Sequence, residues 1–455
     1  MSVLDAVSGW RCRVCGALVD VGRVASWRCP NYRAGDRRHV LDLVTPGLPA
    51  ASSAFSAHSP LANDENAAEN EPVENAVDNE LVGRSPFLVY RQRLAVDAFA
   101  ATRGMTATAR QAVIVETDGL IAAVTGTGFR ITPLERNAGL SDALGFSNRG
   151  GVWVKDETRQ VAGSHKARHL MTILLHLRVA ETLGVSKDRT SPLAISSCGN
   201  AAIAAATLAS AVSWPIQVFV PPSASAAVLG RLEALGAAVV ACPRRADDPP
   251  GDPCVHRFRE AVEAGAIPFG VQGPENAWCL DGGRTIGWEI ADQIAACDIA
   301  PSRLYVQVGG GALATCVAAG LREAGTAPRF HAVQTAGCAP LARAWDRLDG
   351  HRGEAPDRWA QAMWPWEAEP HSLADGILDD ETYDWLGIVE EMTRTGGSPV
   401  VASEAEVIEA ASLVTRVSGI DASPTGASGL AGVIAQRAQI GDDEQLVVIL
   451  SGIRR

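Results

Sequence analysis

Val152–Leu170 reads VWVKDETRQVAGSHKARHL. The apolar Val152-Trp153-Val154 has the character of a strand, and the charged Lys155-Asp156-Glu157 ends it. A short polar loop then leads into Gly163-Ser164-His165-Lys166. From Ala167 onward Leu170, Met171, Leu174, Leu175 and Leu177 follow a helical pattern. Gly and Ser ahead of such a run are helix-start signals, so Lys166 is expected in the first turn. The helix dipole disfavours a cation there. The chain has three lysines, Lys155, Lys166 and Lys187, and every other cationic side chain is arginine. Arginine keeps its proton, whereas a partly buried lysine can lose it and become a nucleophile or base. Lys166 is thus the candidate catalytic residue, against the plainer reading of a surface lysine at a helix start.

Working outward, Leu193-Ala194-Ile195-Ser196-Ser197 reads as a strand that runs through Cys198-Gly199-Asn200 into an Ala-rich helix over 201–211. A strand, a tight Gly turn and a helix N-terminus present a corner of backbone N–H groups suited to an anion. A generic turn with an Asn cap would look the same. Ile216–Pro221, a helix over 224–235 and the strand Ala237–Val240 continue an alternation that implies βαβ units and a parallel sheet. Tyr305-Val306-Gln307-Val308 is a further strand, ending in Gly309-Gly310-Gly311-Ala312-Leu313 before an apolar helix. Three glycines let a backbone approach a phosphate closely, although the spacing is not that of a dinucleotide fingerprint. Leu446–Leu450 is a buried-type strand ending in Ser451-Gly452.

These motifs, in this order, resemble the fold-type II pyridoxal-phosphate enzymes: threonine and serine ammonia-lyases, threonine synthases and, more distantly, the tryptophan synthase β chain. Lys155, Glu157, Ser164 and Lys166 match the family's Lys-x-Glu and Ser-x-Lys pattern, with Val161 where Pro is usual and His165 where Phe is frequent. Thr132-Pro133-Leu134, Leu280–Ile290 (LDGGRTIGWEI), Ala374-Asp375-Gly376 and Ser423-Pro424-Thr425-Gly426 also fall in family order. The resemblance spans roughly 86–455. It implies an α/β, two-domain fold, each domain a parallel or mostly parallel sheet flanked by helices, with a smaller domain at about 160–280 inserted in the larger one. It implies pyridoxal 5'-phosphate bound covalently at Lys166, its phosphate in the Gly309–Leu313 cradle, its ring hydroxyl on Asn200 and its ring nitrogen on Ser451. Ser164, Ser196, Ser197, Gly199 and Asn200 would hold the substrate.

The remainder of the chain bounds this reading. Its 455 residues with 47% hydrophobic content fit a packed α/β protein. A net charge of −12 argues against a nucleic-acid or anionic-membrane binder. Neither a long apolar span nor a signal-peptide pattern is evident, and ten scattered cysteines do not form a secreted disulfide framework, so a cytoplasmic protein is expected. Residues 1–44 hold Cys12-Arg13-Val14-Cys15-Gly16 and Cys29-Pro30. Two thiolates at CxxC spacing can share a tetrahedral ion. Tyr32 stands where a fourth Cys would fall, and His39 is the nearby substitute. The segment is either a zinc ribbon on Cys12, Cys15, Cys29 and His39 or a ribbon that folds without metal. Residues 45–84 are rich in Ala, Asn, Asp and Glu and read as a disordered acidic linker. Removal of everything through about residue 80 is accordingly expected to leave cofactor binding intact. Residues 344–372, rich in Trp and Arg, read as an irregular loop.

The expected function is α,β-elimination from a small β-substituted amino acid such as threonine or serine, giving a 2-oxo acid and ammonia. A threonine-synthase-like replacement enzyme is the alternative, and a non-catalytic regulatory protein on the same fold is a second one. A homodimer stays open.

Overall fold

The computed structural model describes residues 7–33, 36–44, 82–185 and 189–455. The acidic linker, apart from its last three residues, and Lys187 lie outside them. Thirteen strands are described: β1 Gly9–Cys12, β2 Leu18–Asp20, β3 Leu41–Val44, β4 Leu134–Arg136, β5 Gly151–Asp156, β6 Leu193–Ser196, β7 Ile216–Val220, β8 Ala238–Ala241, β9 Ile267–Pro268, β10 Arg303–Gln307, β11 Arg329–Thr335, β12 Pro399–Ala402 and β13 Gln445–Leu450. They form three sheets: β2-β1-β3, β8-β7-β6-β9 and β12-β11-β10-β13-β5-β4.

The six-stranded sheet is parallel except for β4, which runs antiparallel to β5 at its edge. Its β13, β10 and β5 are apolar on both faces, as strands covered by helices on both sides must be. β13 lies between β10 and β5, pairing Leu446 with Arg303 and Leu450 with Asp156. The carboxyl ends of all three therefore reach the same edge, and the segments that continue from them are Val308–Gly311, Ser451-Gly452 and Glu157–Lys166. Open α/β sheets bind ligands at that edge. The four-stranded sheet is wholly parallel and comes from the contiguous stretch 193–268 between β5 and β10.

Three helices cross behind the edge: Lys166–Thr182, Trp278–Ala296 and Ala312–Glu323. Glycines in the Trp278–Ala296 helix let the backbones touch. A Cβ on Gly282 would lie 2.0 Å from the Arg168 carbonyl oxygen, and one on Gly287 would lie 2.6 Å from that of Val317. The Gly-rich motif Leu280–Ile290 is thus a packing device. The residues 344–372 are more ordered than expected, with helices at Pro340–Arg347 and Trp359–Ala362. Trp359 stacks edge-on to the buried Trp385, and Arg343 and Arg347 lie over Trp364. These apolar and cation–π contacts replace the missing periodicity.

The N-terminal ribbon does not stand apart from the remainder. Trp10, Val19, Val21 and Leu41 share one core with the Lys166–Thr182 helix. Trp27 meets Trp278 edge to face at 5.1 Å, Arg13 pairs with Asp42 and Glu390, and Arg28 pairs with Glu275. Expected independence of this segment is therefore corrected: it buries apolar area against the larger part of the chain. No helix among the described residues is long and apolar enough to cross a membrane.

Candidate active site

Four fully buried charges come together beneath the site. Lys155 Nζ donates to Glu289 Oε2 at 2.6 Å, the Thr132 carbonyl at 2.6 Å and Gln293 Oε1 at 2.9 Å. Arg168 makes a fork on Glu157 at 2.7 and 2.8 Å and also reaches Glu289 and Thr285. Two cations and two carboxylates thus balance within hydrogen-bond distance of one another, which is the condition under which buried ions are tolerated. Burial pulls the Lys155 pKa down, with Glu289 and Glu157 opposing. Burial works to raise that of Glu289, yet Arg168 and then Lys155 outweigh it and leave it below the ordinary range. Lys155 and Glu157 of the family pattern are therefore anchors, joining β5 to the Lys166–Thr182 and Trp278–Ala296 helices, and they orient the turn that delivers Lys166.

In that turn, Ala162 and Gly163 carry the chain through left-handed conformations (φ 54° and 68°), His165 caps, and Lys166 is the first helical residue. Lys155 is held by three acceptors; Lys166 is partly exposed, and its main counter-charge is Asp379. Burial lowers its pKa, with Asp379 opposing. Burial, followed by the Lys166 charge, holds His165 well below its usual value and His169 at about 3, so both rings are neutral beside the amine. His165 also fastens two segments, its N–H and its Nδ1 both meeting the Ser451 carbonyl, at 3.1 and 3.0 Å.

The expected groups converge on this point. Ser164 pairs with Gly452 as an isolated bridge, and a Cβ on Gly452 would lie 3.0 Å from both Asn200 Nδ2 and Ser164 Cβ. Asn200 opens the helix Asn200–Ala211, so this contact joins the two parallel sheets. Ser164 Oγ is buried without a hydrogen-bond partner, an orphan donor at the place where a ligand is expected. Ser451 is 3% exposed, which excludes a solvent-facing strand cap. Ser197 is the exception in part: its hydroxyl accepts from the Gly199 N–H at 3.4 Å within its own turn. Ser196 sits half-buried at the end of β6.

Gly309–Gly311 link β10 to the Ala312–Glu323 helix, with Gly311 at φ +97°. A Cβ on Gly309 would come within 2.4 Å of Asp379 Oδ2, and the first-turn N–H groups of Ala312 and Leu313 have no intrahelical acceptor. Asp379 Oδ2 accepts from the Gly310 N–H at 2.8 Å. A carboxylate oxygen thus already uses one of this loop's N–H donors, the kind of donor a phosphate would need. Burial lifts the Asp379 pKa to about 6 while Lys166 pulls it down.

Sequence reasoning missed four groups here. Asp379 is one. Gln307 is another, donating to Ser451 Oγ at 2.6 Å. Arg455 donates through Nε to Asn200 Oδ1 at 2.6 Å and through Nη2 to the Ala162 carbonyl. Arg168 completes the buried charge balance. Asp379, Gln307 and Arg455 carry no local signal because their partners lie far along the chain, and Arg168 gains its second carboxylate, Glu289, only on folding.

In the ribbon, Cys12, Cys15, Cys29 and His39 bring one ligand atom each to within 4.8 Å of one another. Cys12 Sγ is 3.5 Å from His39 Nδ1, and Cys15 Sγ is 3.5 Å from Cys29 Sγ. Burial acts to raise the Cys15 pKa, but the Ala17 N–H and Asn31 outweigh it and hold it at about 6; burial pushes Cys29 up to about 12. Tyr32 turns instead toward Glu275, 3.4 Å away, at the ribbon–core contact. The four donor atoms are close enough to hold one metal ion.

The family model described as pyridoxal-phosphate dependent enzyme matches residues 126–452. The threonine synthase of Methanosarcina acetivorans is 26% identical over 336 residues, covering 70% of this chain and 74% of that protein. The serine dehydratase-like protein of Rattus norvegicus is 30% identical over 199 residues, 43% of this chain and 53% of that one. Among solved structures, the T.th. threonine deaminase superposes with a TM-score of 0.58 at 23% identity, covering 76% of this chain and 98% of its own. Maize serine racemase gives 0.57 at 17% identity, with 75% and 92% covered. With the lysine turn, the glycine loop and Ser451 at the edge of one sheet and the asparagine turn meeting them from the other, the chain belongs to the pyridoxal-phosphate-dependent enzymes and has their two-domain fold-type II architecture.

Proposed function

We propose that the chain is a lyase that expels the Cβ substituent of a small amino acid such as threonine or serine, yielding a 2-oxo acid and ammonia. Lys166 would hold pyridoxal 5'-phosphate, and its amine, when free, would be the base for the Cα proton; its burial-lowered pKa suits that role. Bound there, the cofactor supplies an electron-withdrawing ring that absorbs the charge left at Cα. The N–H groups of Gly309–Leu313 would hold the phosphate, Asn200 the ring hydroxyl, and Ser451 the ring nitrogen. Ser164, Ser196, Ser197, Gly199 and Asn200 receive the substrate carboxylate, with the dipole of the Asn200–Ala211 helix behind them.

The observation that carries elimination is charge. Asp379 acts on Lys166 and holds the Gly310 N–H, and Asp375 and Asp252 both help to raise the Cys198 pKa, after burial, in the asparagine turn. Carboxylates on this side oppose a substrate that brings a phosphate of its own. The second reading, replacement chemistry of the threonine-synthase kind, is favoured by Arg455, whose guanidinium lies on Asn200. Incubating the purified protein with cofactor and borohydride should leave the cofactor on the Lys166 peptide. Loaded enzyme should then release keto acid and ammonia from threonine or serine. Phosphate release from a phosphorylated hydroxy-amino acid, without keto acid, would move the reading to replacement; no turnover of either would leave a regulatory protein.

We further propose one structural zinc on Cys12, Cys15, Cys29 and His39. Elemental analysis of protein purified without chelator should give close to one equivalent, and a value under about a tenth would reject the site.

A further inference from the structure

Ser451 and Gln307 end adjacent strands, and each is 3% exposed. Gln307 Nε2 lies 2.6 Å from Ser451 Oγ, 3.0 Å from the Gly426 carbonyl, 3.2 Å from that of Ile449 and 3.3 Å from that of Thr425. Three of those four neighbours are carbonyl oxygens, which only accept. The end of the amide facing them must therefore be its NH₂, and that fixes which way the side chain is turned. An amide NH₂ cannot accept, so Ser451 Oγ accepts from it. The hydroxyl keeps its own proton, and among the described residues no acceptor takes that proton.

The arrangement has a cost. Gln307 Oε1 is buried with no partner, so a Leu or Met at this position would spare the fold an unsatisfied acceptor. An amide retained under that penalty asks for a role, and the one it can play is to set the direction of the Ser451 hydrogen bond.

Resting on the reading that Ser451 meets the ring nitrogen of the cofactor, we propose that Gln307 is a positioning residue that holds the Ser451 hydroxyl as a donor and thereby keeps that nitrogen unprotonated. A hydroxyl already engaged as acceptor offers its proton to a nitrogen lone pair. A nitrogen bearing its own proton would meet that O–H head-on. Gln307 thus weakens the electron sink, which suits expulsion of a Cβ group over reactions that need a long-lived charge at Cα.

The test uses the full chain loaded with pyridoxal phosphate labelled with ¹⁵N in the ring, and reads the nitrogen chemical shift between pH 6 and 9 for wild type, Gln307→Glu and Gln307→Met. Wild type should stay at the unprotonated end throughout. In Gln307→Glu, a protonated carboxyl can bond the carbonyls while its other oxygen accepts from Ser451, so the shift should move most of the way to the protonated end at pH 6. Gln307→Met frees the hydroxyl to rotate, so the nitrogen should titrate within the range. A protonated wild-type nitrogen at pH 7 overturns the inference whether or not the variants fold. So does a folded, loaded Gln307→Met with the wild-type profile. A wild type that takes up no cofactor overturns the cofactor reading itself, and this inference with it.

Discussion

Two charged regions flank Lys166, and they are built on opposite terms. Beneath it, Lys155, Glu157, Arg168 and Glu289 are wholly buried and mutually paired, each charge answered at hydrogen-bond distance. Beside it, Asp379, Asp380 and Asp384 sit in one short segment where burial raises all three pKa values, that of Asp384 to about 7. Asp384 Oδ1 has no partner. A balanced cluster is scaffold: it fixes positions and has nothing left to offer. An unbalanced one is poised to respond to whatever enters. Lys155 and Glu157, which match the family's Lys-x-Glu, fall on the inert side of that divide.

Breaking the balanced side should have the largest effect. Arg168→Met leaves Glu157 and Glu289 facing each other with only Lys155 between them, and should cost about 3–5 kcal/mol in urea unfolding. If Arg168→Met unfolds like wild type, the cluster is not the anchor described here. Trp10→Ala, in the ribbon, should cost about the same or slightly less, about 3 kcal/mol, because Trp10 is 1% exposed in the core shared with the Lys166–Thr182 helix. Likewise, a chain begun at residue 81 should lose thermal stability and with it cofactor retention; an unchanged melting temperature would restore an independent ribbon.

The unbalanced side should give a smaller, pH-dependent signal. Asp379 is raised to about 6, so its folded form binds a proton more readily than the unfolded chain does. Its contribution to stability is greatest below the ordinary carboxylate range and is lost as pH rises through about 6. Above that pH the charged carboxylate also competes for the Gly310 N–H. Asp379→Asn should bind pyridoxal phosphate on the order of tenfold more tightly at pH 8, corresponding to about 1.4 kcal/mol. The gain should fade toward pH 5. Equal affinities at pH 8 would mean the carboxylate does not obstruct the cradle. The smallest change belongs to His165→Phe, which removes one hydrogen bond to Ser451 and should cost about 1 kcal/mol. Because His165 is held neutral, the pH–rate profile between 5 and 8 should carry no inflection from it.

What was legible in the sequence was whatever chemistry is local. Lys166 lies at a helix start, and the Gly309–Gly311 run and the Ser451-Gly452 ending at strand ends, that apolar patterning reveals. The illegible parts are pairings between distant segments. Nothing near Lys155 announces Glu289, 134 positions away, and nothing near Arg13 announces Glu390. Gln307 was read only as one residue of a strand, since its meaning depends on Ser451 arriving beside it. Ribbon independence was inferred from a linker's composition, which governs the linker alone and says nothing of what the ribbon's Trp10 and Trp27 touch.

The placement of β13 between β10 and β5 bears on how the molecule is made. During synthesis the four-stranded sheet, drawn from one contiguous stretch, has all its strands in hand long before Gln445 is reached. The six-stranded sheet does not: until β13 arrives, β10 and β5 each present an unpaired apolar flank, and open strand edges of this kind recruit other chains. The nascent protein therefore passes through a stage in which one half can be native while the other is adhesive. Closing the gap demands a long-range pairing, Leu450 with Asp156, which is slow on entropic grounds. Ser451 is delivered by that same closure, so completion of the edge that carries it and protection from aggregation should come in a single late step.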